Sequence, residues 1–209
     1  MKFYDCKTAP SPRRARMFII EKGLNIPTIE VDLRNKQQLT PEFLAINPYA
    51  TVPVLELDDG TRLLNTAGIW RYLEAAYPDP PLLGVDAKDK GIVAQWQWYL
   101  ETNGFAPISE CLRNSAPGMK GRAVTGTKSY DQIPELAARG RARVRAFLDS
   151  FEGLIGDKPF FCGDRMTACD IDAFIAVEFS GWVKEALPEG AVKSKAWLER
   201  IRARPSAQA

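Results

Sequence analysis

Apolar and polar residues change period along this chain, and the changes mark its elements. Lys2-Phe3-Tyr4-Asp5-Cys6 reads as a short strand, and Lys7-Thr8-Ala9-Pro10-Ser11-Pro12 as a proline-punctuated loop. Arg13 then opens a helix with Ala15, Phe18 and Ile19 inward and Gly23 as its C-terminal stop. Ile29-Glu30-Val31-Asp32-Leu33 alternates with period two, a second strand reached by a β-α-β step that implies parallel pairing. Thr40-Pro41-Glu42 supplies an N-cap, a first-turn proline and an acid suited to the helix dipole. Next comes Asn47-Pro48-Tyr49-Ala50-Thr51-Val52-Pro53-Val54-Leu55, a β-branched apolar run broken by a proline that removes one ladder hydrogen bond. Asp59-Gly60 turns the chain back into Arg62-Leu63-Leu64, and Asn65-Thr66 caps a helix whose stripe is Ile69, Tyr72, Leu73 and Ala76. The predicted order is β-α-β-α-β-β-α.

Beyond the proline-rich Tyr77-Pro78-Asp79-Pro80-Pro81 the strand pattern stops and only helices follow, so the chain is expected to hold two domains, residues 1–80 and 87–209. One helix is predicted over 87–112, with Val93, Trp96 and Leu100 on one side, and another over 136–155. A third starts at Thr167 with Asp170 three positions on, a capping-box spacing, and carries Ile171, Phe174, Ile175, Phe179, Trp182 and Val183 as core. Residues 114–130, rich in Gly, Ser, Thr and Lys, read as a loop that is either simply flexible or close to a substrate pocket. Arg139, Arg141, Arg143 and Arg145 read as the solvated face of the second helix.

Composition narrows the chemistry. With 28 basic and 26 acidic side chains the net charge is +2, which gives no electrostatic case for nucleic acid or an anionic membrane. No stretch is apolar for about 18 residues, and the strand-like start is unlike a signal peptide, so a cytoplasmic location is expected. Cys6, Cys111, Cys162 and Cys169 have no C-x-x-C spacing and are expected to be reduced thiols. The 209 residues contain no histidine, which removes Ser-His-Asp and Cys-His catalysis and the usual zinc sites; no metal is expected. A substrate that brings its own nucleophile, such as a thiol, suits what remains.

The run from Asn47 to Ile69, with Asn47, Pro48, Val52, Pro53, Leu55, Asp59, Gly60, Leu64 and Ile69 in place, resembles the N-terminal domain of the glutathione S-transferases. Gly163-Asp164…Thr167-x-Cys169-Asp170-Ile171 and Arg204-Pro205-Ser206 resemble segments of the same family's all-helical domain, with Cys169 where alanine is usual. The resemblance implies an α/β thioredoxin-like domain followed by an all-α domain, a cytosolic homodimer, and glutathione as co-substrate. It also implies a cis peptide before Pro53 that turns the Val52 N–H and C=O toward a peptide-like ligand.

Carried over residue by residue, the resemblance makes Gln38, helped by Lys36, the contact for the glycine carboxylate, Val52 and Pro53 the strand-like contact, and Asn65-Thr66 the grip on the amino and α-carboxylate groups. Asn65 departs from the usual Glu or Gln, being a methylene shorter than either and, unlike Glu, uncharged. Ala9 stands where many members keep serine or cysteine, which leaves Ser11 as the sulfur contact, with Thr8 and Tyr4 behind it. Ser11 is otherwise a helix N-cap, and both roles can coexist. A thiol with an unperturbed pKa near 8.5 needs a donor or partial positive charge beside it to ionise at neutral pH. The first helix N-terminus provides one, through its dipole and unpaired N–H groups. Tyr99 and Asn103, with Trp96, Trp98 and Phe105, are expected to line the electrophile pocket between the domains. The implied activity is transfer of the glutathione thiolate to a small electrophile. Glutathione-dependent peroxide or disulfide reduction stays open, as does a non-catalytic binding protein that keeps the fold.

Overall fold

Alternation at the N-terminus becomes the centre of a small mixed sheet. In the computed structural model, which describes residues 1–208, strands β1 (Lys2–Asp5), β2 (Thr28–Glu30), β3 (Val54–Glu56) and β4 (Arg62–Leu63) lie in the order β2-β1-β3-β4. β1 pairs parallel with β2, as the β-α-β step requires, and antiparallel with β3; β3 and β4 form the hairpin turned by Asp59-Gly60. Three helices complete the unit: α1 (Pro10–Glu21), α2 (Pro41–Leu44) and α3 (Thr66–Ala76). A 3-10 turn at Gln37–Leu39 precedes α2. The chain folds into two compact units, Met1–Pro80 with Thr125–Lys128, and Pro81–Val124 with Ser129–Gln208.

The first unit departs from the expected pattern at three points. α1 opens at Pro10 instead of Arg13, because proline fixes the helical φ and the first-turn N–H it lacks has no intrahelical partner anyway. On α3 the buried apolar set is Ile69, Trp70 and Leu73, with Thr66 also buried; Ala76 is exposed and Tyr72 only half-buried. Trp70 stacks on Phe18 with ring centroids 5.1 Å apart, which joins α3 to α1. Finally, Asp5 is a fully buried carboxylate, and Arg16 Nη1 donates to both its oxygens at 2.7 and 2.6 Å. Arg16 Nη2 also reaches the Lys7 carbonyl at 3.3 Å, so the loop leading into α1 is held from the helix side.

The second unit is all helix: α4 (Ala87–Leu100), α5 (Ala106–Ser115), α6 (Pro134–Ile155), α7 (Ala168–Ser180) and α8 (Val192–Arg202). The single helix expected over 87–112 is interrupted by a π-type turn at Glu101–Phe105, whose Thr102 carbonyl accepts from Arg143 Nη2 at 2.8 Å. Buried α7 is the axis of the unit. The Asp170 carboxylate at its start accepts from the Thr167 and Phe161 N–H groups at 2.9 and 2.7 Å and from Trp197 Nε1 at 3.0 Å. Trp182, expected in the core, lies past the end of α7 and is half exposed. The arginine face of α6 is solvated but paired: Arg139 and Arg143 meet Glu110, and Arg141 and Arg145 meet Glu185. Among the described residues no helix is long and apolar enough to cross a membrane.

Candidate glutathione site on the first unit

The loop from Asn47 to Pro53 is shaped by one buried side chain. Asn47 Oδ1 accepts the Tyr49 N–H at 3.0 Å, and Nδ2 donates to the Thr51 carbonyl and hydroxyl at 2.8 and 2.9 Å. Ala50, buried inside that turn, adopts a left-handed φ of 53° while its N–H donates to the Asn47 carbonyl at 3.0 Å. The loop delivers a cis Val52-Pro53 peptide directly to β3. Because Tyr4 pairs with Val54 across the ladder, Pro53 and Val52 lie alongside the end of β1, where the chain turns toward α1. Neither the N–H nor the C=O of Val52 takes part in a backbone hydrogen bond among the described residues. An extended ligand could fill both, as a further strand would.

The start of α1 differs in one chemically important way from a generic helix N-terminus. Ala9 is the N-cap and makes no side-chain cap, while Pro10 and Pro12 occupy the first and third helical positions. Neither proline has an N–H, and the Arg13 N–H is spent on the Ala9 carbonyl at 3.2 Å. Ser11 therefore carries the first turn's one unspent backbone N–H, and its hydroxyl is in the same residue. The several unpaired N–H groups expected there reduce to one. Ser11 is not the N-cap, so its side chain is not committed to capping.

The start of α3 is tied to the same place. Thr66 Oγ1 donates to the Ser11 carbonyl at 3.3 Å, which brings the two helix N-termini together. Asn65 is the N-cap of α3; its Oδ1 accepts the Gly68 N–H at 2.8 Å, and its Nδ2 keeps no protein partner among the described residues. The starts of α1 and α3 are thus joined through Ser11 and Thr66, while Val52 and Pro53 lie beside the end of β1 that leads toward α1.

Gln38 and Lys36 sit apart on the 3-10 turn, and no hydrogen bond among the described residues links them to Ser11, Val52 or Thr66. The turn is built by Asp32, whose carboxylate accepts the Asn35 backbone and side-chain amides at 3.0 and 2.7 Å; these bonds hold its carboxyl below the usual range. Lys36 is exposed in a left-handed conformation. Gln38 is buried, yet its Oε1 has no hydrogen-bond partner. A buried amide oxygen left unpaired costs about 1–3 kcal/mol.

The reserve candidates for the sulfur contact fare differently. Tyr4 is buried in the sheet core, edge-on to Phe43 at 6.3 Å, and Thr8 is exposed with its hydroxyl 3.5 Å from Cys6 Sγ. In the second unit Asn103 lies in the π-type turn and gives its Nδ2 to the Tyr99 carbonyl at 3.2 Å, while the Tyr99 ring stands edge-on to Trp96 at 5.5 Å. Trp98 faces away into solvent. Asn47, Ala50 and Arg16 escaped sequence reasoning as site-forming residues; the Asn-Pro start followed by Thr51 was the available signal for the first.

Comparison with known proteins agrees with this architecture. The glutathione S-transferase N-terminal domain model matches residues 8–76, and the C-terminal domain model of the same family matches residues 110–205. Glutathione S-transferase 2 of Saccharomyces cerevisiae is 30% identical over 208 residues, covering 99% of this chain and 87% of the relative. Maleylacetoacetate isomerase of Pseudomonas aeruginosa is 35% identical over 177 residues, covering 82% of this chain and 77% of the relative. The crystal structure of Gtt2 from Saccharomyces cerevisiae superposes with a TM-score of 0.89 at 29% identity, covering 100% of this chain and 99% of that one. With both domain models matched in order on a thioredoxin-like unit and a helical unit, the chain belongs to the glutathione S-transferase family.

Proposed function

We propose that this protein is a glutathione transferase that binds glutathione against Val52 and the joined N-termini of α1 and α3, holds its sulfur as a thiolate, and transfers it to a small electrophile. The observation that carries the reading is the start of α1. Two prolines leave Ser11 with the one unspent N–H of the first turn, and its hydroxyl adds a second donor from the same residue. Two donors at a helix N-terminus favour a thiolate over a thiol. The Val52 N–H and C=O would take the cysteine backbone of glutathione. The Gln38 side-chain amide, donating from Nε2, and Lys36 would take its glycine carboxylate. Asn65 and Thr66 would hold the γ-glutamyl end, weakly, since Asn65 is neutral and already caps α3. Tyr99 and Asn103 are the proposed contacts for the electrophile. A homodimer in the cytoplasm with a detoxifying role is the setting this reading implies.

The committed state of Asn65 and Thr66 also favours a second reading, a fold-retaining protein with weakened glutathione affinity and no turnover. Steady-state assays distinguish the two. The wild-type protein should conjugate glutathione to a halonitroarene, and Ser11→Ala should lower kcat/KM about tenfold, or about 1.4 kcal/mol. Turnover of hydroperoxides or mixed disulfides in place of the halonitroarene would assign the reductase variant of the same site. No turnover with any of them would favour the binding-protein reading.

A further inference from the structure

β1 ends on a wholly buried carboxylate, Asp5, and the cation that meets it comes from the helix that carries Ser11. Arg16 Nη1 donates to Asp5 Oδ1 at 2.7 Å and to Oδ2 at 2.6 Å, and Nη2 donates to the Lys7 carbonyl at 3.3 Å. The Arg16 side chain is itself only 13% exposed. Asp5 is fixed from the sheet as well, because its carbonyl accepts the Val31 N–H at 2.7 Å. One guanidinium therefore ties together the end of β1, the loop that follows it and the body of α1. That loop also takes two shorter-range bonds, from the Ala9 N–H to the Cys6 carbonyl at 2.9 Å and from the Lys7 N–H to the Glu30 carboxylate at 3.1 Å, while Lys7 and Thr8 are exposed.

Stability alone does not account for this pair. Burying two opposite charges gains little, because lost hydration offsets their attraction, and apolar side chains of similar volume often serve as well or better. The pair is also incomplete, since Arg16 Nε is buried with no hydrogen-bond partner. What it supplies that apolar side chains cannot is direction. A planar guanidinium presents its donors at fixed angles, so with Asp5 anchored in the ladder both α1 and the Lys7 carbonyl are held at one setting. A short, stiff path carries that setting to Ser11. Ala9 is the N-cap, its carbonyl takes the Arg13 N–H at 3.2 Å, and Pro10 and Pro12 on either side of Ser11 have their φ fixed by the ring.

We propose that Arg16 is a positioning residue for the conjugation reaction: paired with Asp5, it sets the α1 N-terminus against the end of β1 so that the Ser11 N–H and hydroxyl meet the ligand sulfur at hydrogen-bond distance. The inference rests on the glutathione reading above and adds to it the contact that aims the donors. Arg16 acts through the loop and Ser11, not on the ligand. Hydrogen bonds weaken steeply with misalignment, so donors aimed badly leave the bound thiol less ionised while the rest of the ligand keeps its contacts.

The test is the pH profile of kcat/KM for a halonitroarene at saturating glutathione, measured on full-length wild type, Ser11→Ala, Arg16→Lys and the double variant Asp5→Val with Arg16→Met. Lysine meets Asp5 with a point charge but cannot fork to the Lys7 carbonyl as well, and the double variant removes both charges. Both should fall about tenfold below wild type near pH ~6.5 and rejoin it above about pH 9, where glutathione with a thiol pKa of about 8.5 ionises unaided. The double variant should keep the wild-type Tm to within a few degrees. If Ser11→Ala shows the low-pH loss while the Arg16 variants follow the wild-type profile, or lose rate equally at every pH, the proposal is overturned and the glutathione reading stands. A wild type that does not conjugate glutathione, or a Ser11→Ala variant with no low-pH loss, overturns that reading and this inference with it. Arg16→Lys decides alone if the double variant does not fold.

Discussion

Thr66 Oγ1 donates its one proton to the carbonyl of Ser11 at 3.3 Å, so the hydroxyl expected to bind a ligand carboxylate already spends its donor on joining two helices. The same side chain thus orders the site and must release that bond to serve a ligand. Thr66→Val removes the donor at nearly constant volume. It should destabilise the protein by about 0.5–1.5 kcal/mol in urea unfolding and weaken glutathione binding, while Thr66→Ser does neither. A valine variant as stable as wild type would show that the bond does not join α1 to α3.

Asn65 poses a related conflict. Its Oδ1 caps α3 through Gly68, a role aspartate can keep and glutamate fills poorly. Asn65→Asp should therefore retain stability and gain a charge toward the ligand's amino group, tightening glutathione binding by up to about tenfold. Asn65→Glu should tighten binding too, at a loss of about 1 kcal/mol from the missing cap. Calorimetry and thermal unfolding of both variants check this; no gain in either would mean that Asn65 does not face the ligand.

Ala50 occupies a left-handed conformation, φ 53°, where its Cβ crowds the following carbonyl. Ala50→Gly should stabilise the protein by about 0.5–1 kcal/mol, the relief outweighing glycine's extra freedom in the unfolded chain. A loss of stability in urea unfolding would place the cost elsewhere in that loop.

Glu152 on α6 caps α8, accepting the Lys193 and Ser194 N–H groups at 2.9 Å each and the Ser194 hydroxyl at 2.6 Å. The Ser194 hydroxyl first, then the Ser194 and Lys193 N–H groups, hold its carboxyl below the usual glutamate value. A carboxyl depressed on folding contributes stability above its unfolded pKa and loses it as pH falls through the folded one. Glu152→Gln should lower Tm at pH 7, and the gap to wild type should close as pH falls below about 4. A gap independent of pH would mean that charge plays no part in this cap.

Local rules explain which features were readable. Thr40, Asn65 and Thr167 all mark true helix starts, because an N-cap is a short-range contact written in adjacent residues. The start of α1 was misplaced by three residues for the same reason: Pro10 and Pro12 read as loop punctuation, whereas a first-turn proline loses nothing. The π-type turn at Glu101–Phe105 left no mark in the periodicity, since it widens a helix without ending it. The tie between the 160–163 turn and α7 depends on Asp170 reaching back to Phe161, a tertiary bond that no spacing announces. Within the site, Val52-Pro53 and Thr66 were visible as motif, but that Thr66 spends its proton on Ser11, and that two prolines reduce α1 to one free N–H, follows only from the fold.

The central claim is that Ser11 and the α1 N-terminus ionise the glutathione thiol. Calorimetric titration with glutathione, in two buffers of different ionisation enthalpy at the same neutral pH, counts the protons released on binding. The account predicts micromolar to low-millimolar binding with close to one proton released per site, and a smaller release for Ser11→Ala. Binding with no proton release, or no heat at millimolar glutathione, would contradict it.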